Sequence, residues 1–236
     1  GDPWQSIYGF RGAVQGGMAT LAAKFSCSPL DLSVSFRCPQ AIVENARWRV
    51  PHFKWIKEGG HVQSLTRLSL DHFPDSAAIL CRNNAPLFRL ALQLLAAGRS
   101  VSVAGSDIGP KLIGLLRKLG PSEMSRVQVG IAIEDWREAR LERASTSAND
   151  LADCMKVFAE RGDSLAQAIS YAEHVLSQKG SIRLMTIHKS KGLEFETVFL
   201  LDRWLCKEDE QDLNLLYVAQ TRSLDRYYEI NSRDIQ

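Results

Sequence analysis

Several short stretches of this chain place polar and charged side chains where a fold would otherwise want apolar filler. In GDPWQSIYGFRGA (1–13), Gln5, Tyr8, Phe10 and Arg11 share one loop punctuated by glycines. An amide can meet a phosphate oxygen or a water. Flat rings can take a stacked base, for about 1–3 kcal/mol each. A guanidinium binds phosphate oxygens through its planar fork. In SVSFRCPQAI (33–42), Phe36 and Arg37 directly follow a short apolar run, and in AAILCRNNAPL (77–87), Arg82 and Asn84 do the same. In TIHKSKGLEF (186–195), Thr186, His188, Lys189 and Lys191 lead into Gly192, which permits close backbone approach, and then Glu194. In NLLYVAQTRS (214–223), Arg222 falls one turn beyond Val218. This is phosphate- and base-binding chemistry.

Each stretch also has a plainer reading. The first could be an aromatic turn that only packs. Arg37 could pair with a nearby carboxylate, Asn83 and Asn84 could make a turn and helix cap, and His188 could be a satisfied loop histidine. Arg222 could be a basic residue favoured by a helix C-terminus. Residue types alone leave these alternatives open.

The elements that must position these groups follow from periodicity. AAILC (77–81) is a buried strand, APLFRLALQLLAAG (85–98) a helix closed by Gly98, and SVSVAG (100–105) another strand. LSVSF (32–36) is a short strand, followed by a helix QAIVENARWRV whose first turn suits Pro39. The stretch 13–25 predicts a helix weakened by Gly16 and Gly17. Residues 51–75 are aromatic, basic and poorly periodic, a loop with a short strand. Helical character runs from about 109 to 178, after which SIRLMTIH and TVFLLD resume the strand pattern. A helix over 211–223 and a last strand RYYEI complete the chain. Strand–helix–strand alternation argues for an α/β fold, a parallel sheet covered by helices, with a small all-helical block inserted.

Composition bounds the classes without choosing among them. The 236 residues are 45% hydrophobic and 24% charged, with a formal net charge of +2. That balance is too mild to demonstrate nucleic-acid binding, yet a groove can be locally basic on a near-neutral protein. The five cysteines are scattered and odd in number, with no C-x-x-C pair, which favours reduced structural thiols over disulfides or zinc. No metal-ligating cluster is read. No apolar run is long enough to cross a bilayer and no signal peptide is visible, so no membrane partner is expected. The chain begins with Gly rather than Met, and is read as not a natural start.

In this order and spacing the blocks resemble motifs III to VI of UvrD/Rep-like superfamily 1 DNA helicases. GDPWQSIYGFRGA resembles motif III, SVSFRCPQAI motif IV, TIHKSKGLEF motif V and NLLYVAQTRS motif VI. The wording of IYGFRGA, SFR and NLLYVA lies closer to F-box DNA helicases and their bacterial or phage relatives. The resemblance covers about 1–105 and 181–236; residues 108–180 match nothing named. It implies a RecA-like fold and a role for each matching residue. Gln5 would sense the γ-phosphate, Phe36 would stack on adenine, Arg37 would reach the γ-phosphate, and Arg222 would act as an arginine finger. Gly192 and Glu194 would complete the nucleotide contacts, with Glu194 on the ribose. Tyr8 and Phe10 would stack on single-stranded DNA; Arg11, Arg82, Asn84, Thr186 and His188 would meet its backbone. Phe10 stands where many members have Trp, which weakens stacking without abolishing it. Ser223 replaces the usual Ala.

The implied organisation is a C-terminal remnant of a first RecA-like domain with motifs III and IV over 1–50, and the first part of a second RecA-like domain over 51–107. A reduced helical accessory insertion occupies 108–180, and the second part of that domain, with motifs V and VI, occupies 181–236. No G-x-x-x-x-G-K-[ST] occurs in the sequence. VFLLD is apolar and ends in Asp202, but it lacks a following Glu and lies after motif V, so it is not read as a Walker B strand. ATP and Mg²⁺ are therefore expected to be ligated mainly by an N-terminal RecA-like half, which becomes a partner together with single-stranded DNA or a single-/double-strand junction. The expected parent is a 3′→5′ DNA helicase, cytoplasmic or, in a eukaryote, nuclear, with this portion inactive by itself. Two alternatives stay open: membership of a RecB/AddA-type helicase–nuclease, and a degenerate helicase domain serving as a DNA- or protein-binding module.

Overall fold

The computed structural model describes residues 2–13, 16–28, 30, 32–104, 108–142 and 147–236. In chain order the elements are α1 (Gly17–Lys24), β1 (Val34–Ser35), α2 (Gln40–Ala46), β2 (Lys54–Trp55), β3 (His61–Ser64), β4 (Ala78–Cys81), α3 (Asn84–Ala96), β5 (Val101–Val103), α4 (Ile108–Leu116), α5 (Arg126–Leu141), α6 (Ala148–Ala159), α7 (Leu165–Ser177), β6 (Ile182–Thr186), α8 (Ile187–Ser190), β7 (Phe195–Leu201), α9 (Glu210–Gln220) and β8 (Ser223–Ile230). Single 3₁₀ turns at Pro3–Gln5 and Gly9–Arg11 shape the first loop. The chain divides into two compact units. One comprises 1–68, 76–82 and 187–236, the other 69–75 and 83–186.

In the first unit β3, β8, β7 and β4 lie side by side in that order, every neighbouring pair parallel. All four residues of β4 are buried, and every residue of β7 except Glu196. Such continuous apolar strands fit a parallel sheet covered on both faces, where alternation would put apolar groups in water. α9 is buried almost all round, from Asn214 to Gln220, as expected of a helix inside a core rather than on it. α2 packs against β3, β8 and α9. Parallel-sheet α/β character is thus confirmed.

The second unit pairs β5 with β6 in parallel and stacks α3 on them. Gly98 takes φ 74° just past α3, the left-handed turn that a glycine accepts without steric penalty. Helices α4 to α7 gather against one another, with Phe88 of α3 and Phe158 of α6 at a ring separation of 5.3 Å. The helical block expected over about 109–178 is present.

Local boundaries differ from the sequence reading where tertiary contacts decide them. The strand read through 188 stops at Thr186, and Ile187–Ser190 form a helical turn closed by the Ser190 hydroxyl, which donates to the Ile187 carbonyl at 2.8 Å. The helix read to 223 ends at Gln220, and Ser223 already pairs with Phe195.

Candidate functional site

Two groups of side chains in the first unit carry chemistry. The first forms around the exits of β1 and α9 and the entrance of β7. Phe36 follows β1 with its ring 81% exposed. Beside it, Arg37 Nε meets Glu194 Oε2 at 2.6 Å. Cys38 turns inward, its backbone N–H donating to Ser35 Oγ at 2.9 Å and its thiol lying 3.6 Å from the Thr221 carbonyl. Burial pushes that thiol's pKa up.

Arg222 is only 2% exposed, in the two-residue elbow between α9 and β8. Its Nε donates to the Val218 carbonyl at 3.0 Å, Nη1 to the Leu193 carbonyl at 3.1 Å and Nη2 to Thr221 Oγ1 at 3.1 Å. These acceptors are neutral; burial, and then the nearby Arg37 charge, press its pKa downward. Gly192 holds φ 89° in the turn from α8, where Leu193 N–H returns to the Ser190 carbonyl at 2.9 Å. The result is two guanidinium groups, a carboxylate and an exposed ring within one neighbourhood. Guanidinium groups donate to phosphate oxygens, a carboxylate accepts from hydroxyls and an exposed ring can stack on a flat group.

The second group surrounds the first loop. Gln5 ends a 3₁₀ turn, its amide donating to Asp2 Oδ2 at 2.7 Å. Its carbonyl accepts from Lys191 Nζ at 2.6 Å. The Tyr8 hydroxyl donates to the His188 carbonyl at 3.2 Å. Lys191 Nζ and the Arg11 guanidinium sit 5.2 and 5.6 Å from the Tyr8 ring centre. Arg82 leaves β4 and its Nε donates to Asp212 Oδ1 at 2.8 Å. An open recess of about 520 Å³ lies here, lined by Gly9, Ala13, Arg82 and residues 209–212.

His188 is half-buried, and burial, with the Arg82 charge second, lowers its pKa to about 4. The sign is definite. Between pH 6.5 and 4 the unfolded chain binds more protons at this residue than the folded one, so stability is complete above pH 6.5 and falls as pH drops toward 4. His188 alone can add a slope of up to about 1.4 kcal/mol per pH unit in that window. Urea unfolding of the chain at a series of pH values should show this component, and His188→Phe should flatten it. Equal slopes for both proteins would contradict the assignment.

Of the residues singled out from sequence, Gln5, Tyr8, Arg11, Phe36, Arg37, Arg82, His188, Gly192, Glu194 and Arg222 all belong to the first unit. Asn84 and Thr186 belong to the second. Asn84 opens α3, and both its backbone N–H and its amide donate to Asp150, at 3.1 and 2.9 Å. Thr186 is buried at the end of β6. The Phe10 side chain lies outside the described residues. Lys191, named in the sequence without a role, holds the first loop, and two residues the sequence reading passed over bond to the same region: Asp212 and Asn214. A sequence signal exists for the last two, since both fall on a helix whose neighbours point inward, where a polar side chain needs a reason.

The UvrD-like helicase C-terminal domain matches residues 181–228, the segment from β6 through most of β8. F-box DNA helicase 1 of Gallus gallus is 30% identical over 271 residues, covering 94% of this chain and 25% of that protein. YjcD of Bacillus subtilis (strain 168) is 34% identical over 107 residues, 38% of this chain and 14% of the relative. An ATP-dependent helicase/nuclease component from Enterococcus faecalis is 51% identical over 47 residues, 20% of this chain and 4% of the relative. The chain thus spans a quarter or less of the length of these relatives. Residues 181–228 thus match the UvrD-like helicase C-terminal domain, and along 94% of its length the chain is similar to one part of a DNA helicase.

Proposed function

We propose that this chain is the coupling half of an ATP-dependent DNA translocase moving 3′→5′, and that it supplies arginine fingers, an ATP-state sensor and single-strand contacts to a preceding RecA-like half. The observation that carries the reading is the convergence of Arg37, Glu194 and Arg222. Arg37 pairs with Glu194 at 2.6 Å, and Arg222 is bonded to the carbonyl of Leu193, the residue just before Glu194. In this reading the segment 1–50 belongs to the first RecA-like domain and its crossover, and 51–107 and 181–236 to the second. The helices of 108–180 form the accessory insertion.

ATP, when bound, supplies the anhydride whose cleavage drives the cycle, with Mg²⁺ held mainly by the preceding half. The ring of Phe36 takes the base, Glu194 the ribose and Arg37 the phosphates, while Gln5 reports the γ-phosphate. Arg222 neutralises charge that develops on the transferred phosphoryl group, where a preorganised guanidinium is worth most. Tyr8, Phe10, Arg11, Arg82 and His188 hold the single strand, so opening and closing of the nucleotide cleft ratchets it. The 51% identity to a helicase/nuclease component over 47 residues favours, as second reading, membership of a helicase–nuclease assembly.

The test is ATP hydrolysis by a longer version of the protein that includes a phosphate-binding half. Single-stranded DNA should stimulate it, and strand displacement should require a 3′ overhang. The 236 residues alone should hydrolyse no ATP, since the main phosphate ligands are not among them. Turnover by this purified chain, or a longer protein indifferent to DNA, would sink the proposal.

A further inference from the structure

The first five residues of α9 include two buried polar side chains that the proposed chemistry does not use. Asp212 and Asn214 are each 3% exposed. Polar groups so deep must be hydrogen-bonded, and these are. Asp212 accepts from Arg82 Nε through Oδ1 at 2.8 Å and from the Lys207 backbone N–H through Oδ2 at 2.9 Å. Asn214 Oδ1 accepts from Arg49 Nε at 3.0 Å and Nη2 at 2.7 Å, and its Nδ2 donates to the Ser6 carbonyl at 3.0 Å. Arg49 in turn pairs with Glu210 and lies 4.8 Å from the Trp4 ring centre.

The first loop is pressed against the same stretch. A Cβ on Gly9 would stand 1.7 Å from Gln211 Nε2, the free end of a flexible side chain that could swing aside. The helix running to the Arg222 elbow therefore begins in a socket that grips both Arg82 and the Gln5–Tyr8 segment. Asp212 is buried while Arg82 keeps a 33% exposed side chain, so taking Arg82 away would leave a buried carboxylate without its cation.

We infer that Asp212 and Asn214 are positioning residues: Asp212 fixes Arg82, and Asn214 fixes the Gln5–Tyr8 segment, to the helix that leads into Arg222, so that strand grip and ATP turnover are joined through α9. The inference rests on the function proposed above. α9 has eleven residues, and at 1.5 Å per residue it spans about 16 Å, enough to link the two side-chain groups through one rigid element.

The experiment uses the longer protein and measures the single-strand concentration that half-maximally stimulates ATP hydrolysis, together with the KM for ATP. Asp212→Asn should raise that concentration about tenfold, leave the KM for ATP within about twofold, and add nothing further in an Arg82→Ala background. Asn214→Ala, which leaves the Arg82–Asp212 pair intact, should raise it about fivefold in either background, because it acts through Ser6. The second variant also decides the matter should Asp212→Asn fail to fold. An Asp212→Asn effect that is the same with and without the Arg82 side chain overturns the inference, and so does an Asn214→Ala protein equal to wild type. A wild-type protein whose hydrolysis ignores DNA fails at the earlier step and overturns the functional reading itself.

Discussion

Replacing Arg222 with Ala in the longer, ATP-hydrolysing protein should lower DNA-stimulated turnover by about a thousandfold or more, the range that arginine fingers command. Affinity for single-stranded DNA should stay within about threefold. The structure adds a second, separable consequence. Arg222 makes three hydrogen bonds from a site 2% exposed, and truncation removes all three and leaves its buried volume unfilled, although the Val218 carbonyl keeps the Thr221 hydroxyl as a donor. A hydrogen bond from a charged group contributes roughly 1.5–3 kcal/mol. The melting temperature of the isolated chain should therefore drop as well. Arg222→Lys separates the two effects: it keeps the charge but replaces the planar fork, whose donors reach all three acceptors, with a single ammonium. Single-turnover hydrolysis and thermal melting on the same preparations provide the readouts. Turnover within tenfold of wild type for Arg222→Ala would remove the finger assignment.

Tyr8→Ala should weaken single-strand binding by about 10- to 100-fold, corresponding to about 1–3 kcal/mol for one lost stacking platform. The ring does more than wait for a base. It lies beneath two cations, Arg11 and Lys191, and its hydroxyl ties the first loop to the backbone of His188. Removing the ring thus takes away a surface for a base and releases the cations that would face the phosphates. Tyr8→Phe keeps ring and cations but loses the tie, and should weaken binding no more than about threefold. Titration with a labelled oligonucleotide at two salt concentrations distinguishes these contributions, because loss of phosphate contacts also flattens the salt dependence. A Tyr8→Ala protein with wild-type affinity would exclude the ring from the strand path.

How far the sequence reached depended on how local each feature is. Parallel α/β character was legible because AAILC and TVFLL are unbroken apolar runs bounded by polar turns. The helical stretch after 108 was legible from periodicity. Element ends were not. Ile187 and His188 continue a strand-like sequence, yet the chain turns helical there, and Ser223 extends a helical pattern, yet it is already paired with Phe195. Among site residues, Arg37 joined its two readings: it does pair with a carboxylate, and that carboxylate is Glu194, itself singled out for the nucleotide. Asp212 stayed hidden because its partner Arg82 is 130 positions away, and no spacing rule spans that distance. Lys191 was legible as a cation ahead of Gly192, but its partner was not, because a backbone carbonyl leaves no mark in the residue type at Gln5.

The elbow that carries Arg222 has one further consequence. Its backbone N–H is bonded to the Ala219 carbonyl and its own carbonyl accepts from Phe195 N–H at 2.9 Å, with regular structure beginning at the next residue. The main chain at this point has no slack. The guanidinium can travel only by turning about its own side-chain bonds, and any displacement of its anchor pulls on the strand whose first residue follows Glu194. A change in the contacts at Glu194 is thereby a change in the footing of Arg222, and the two residues are mechanically a single part.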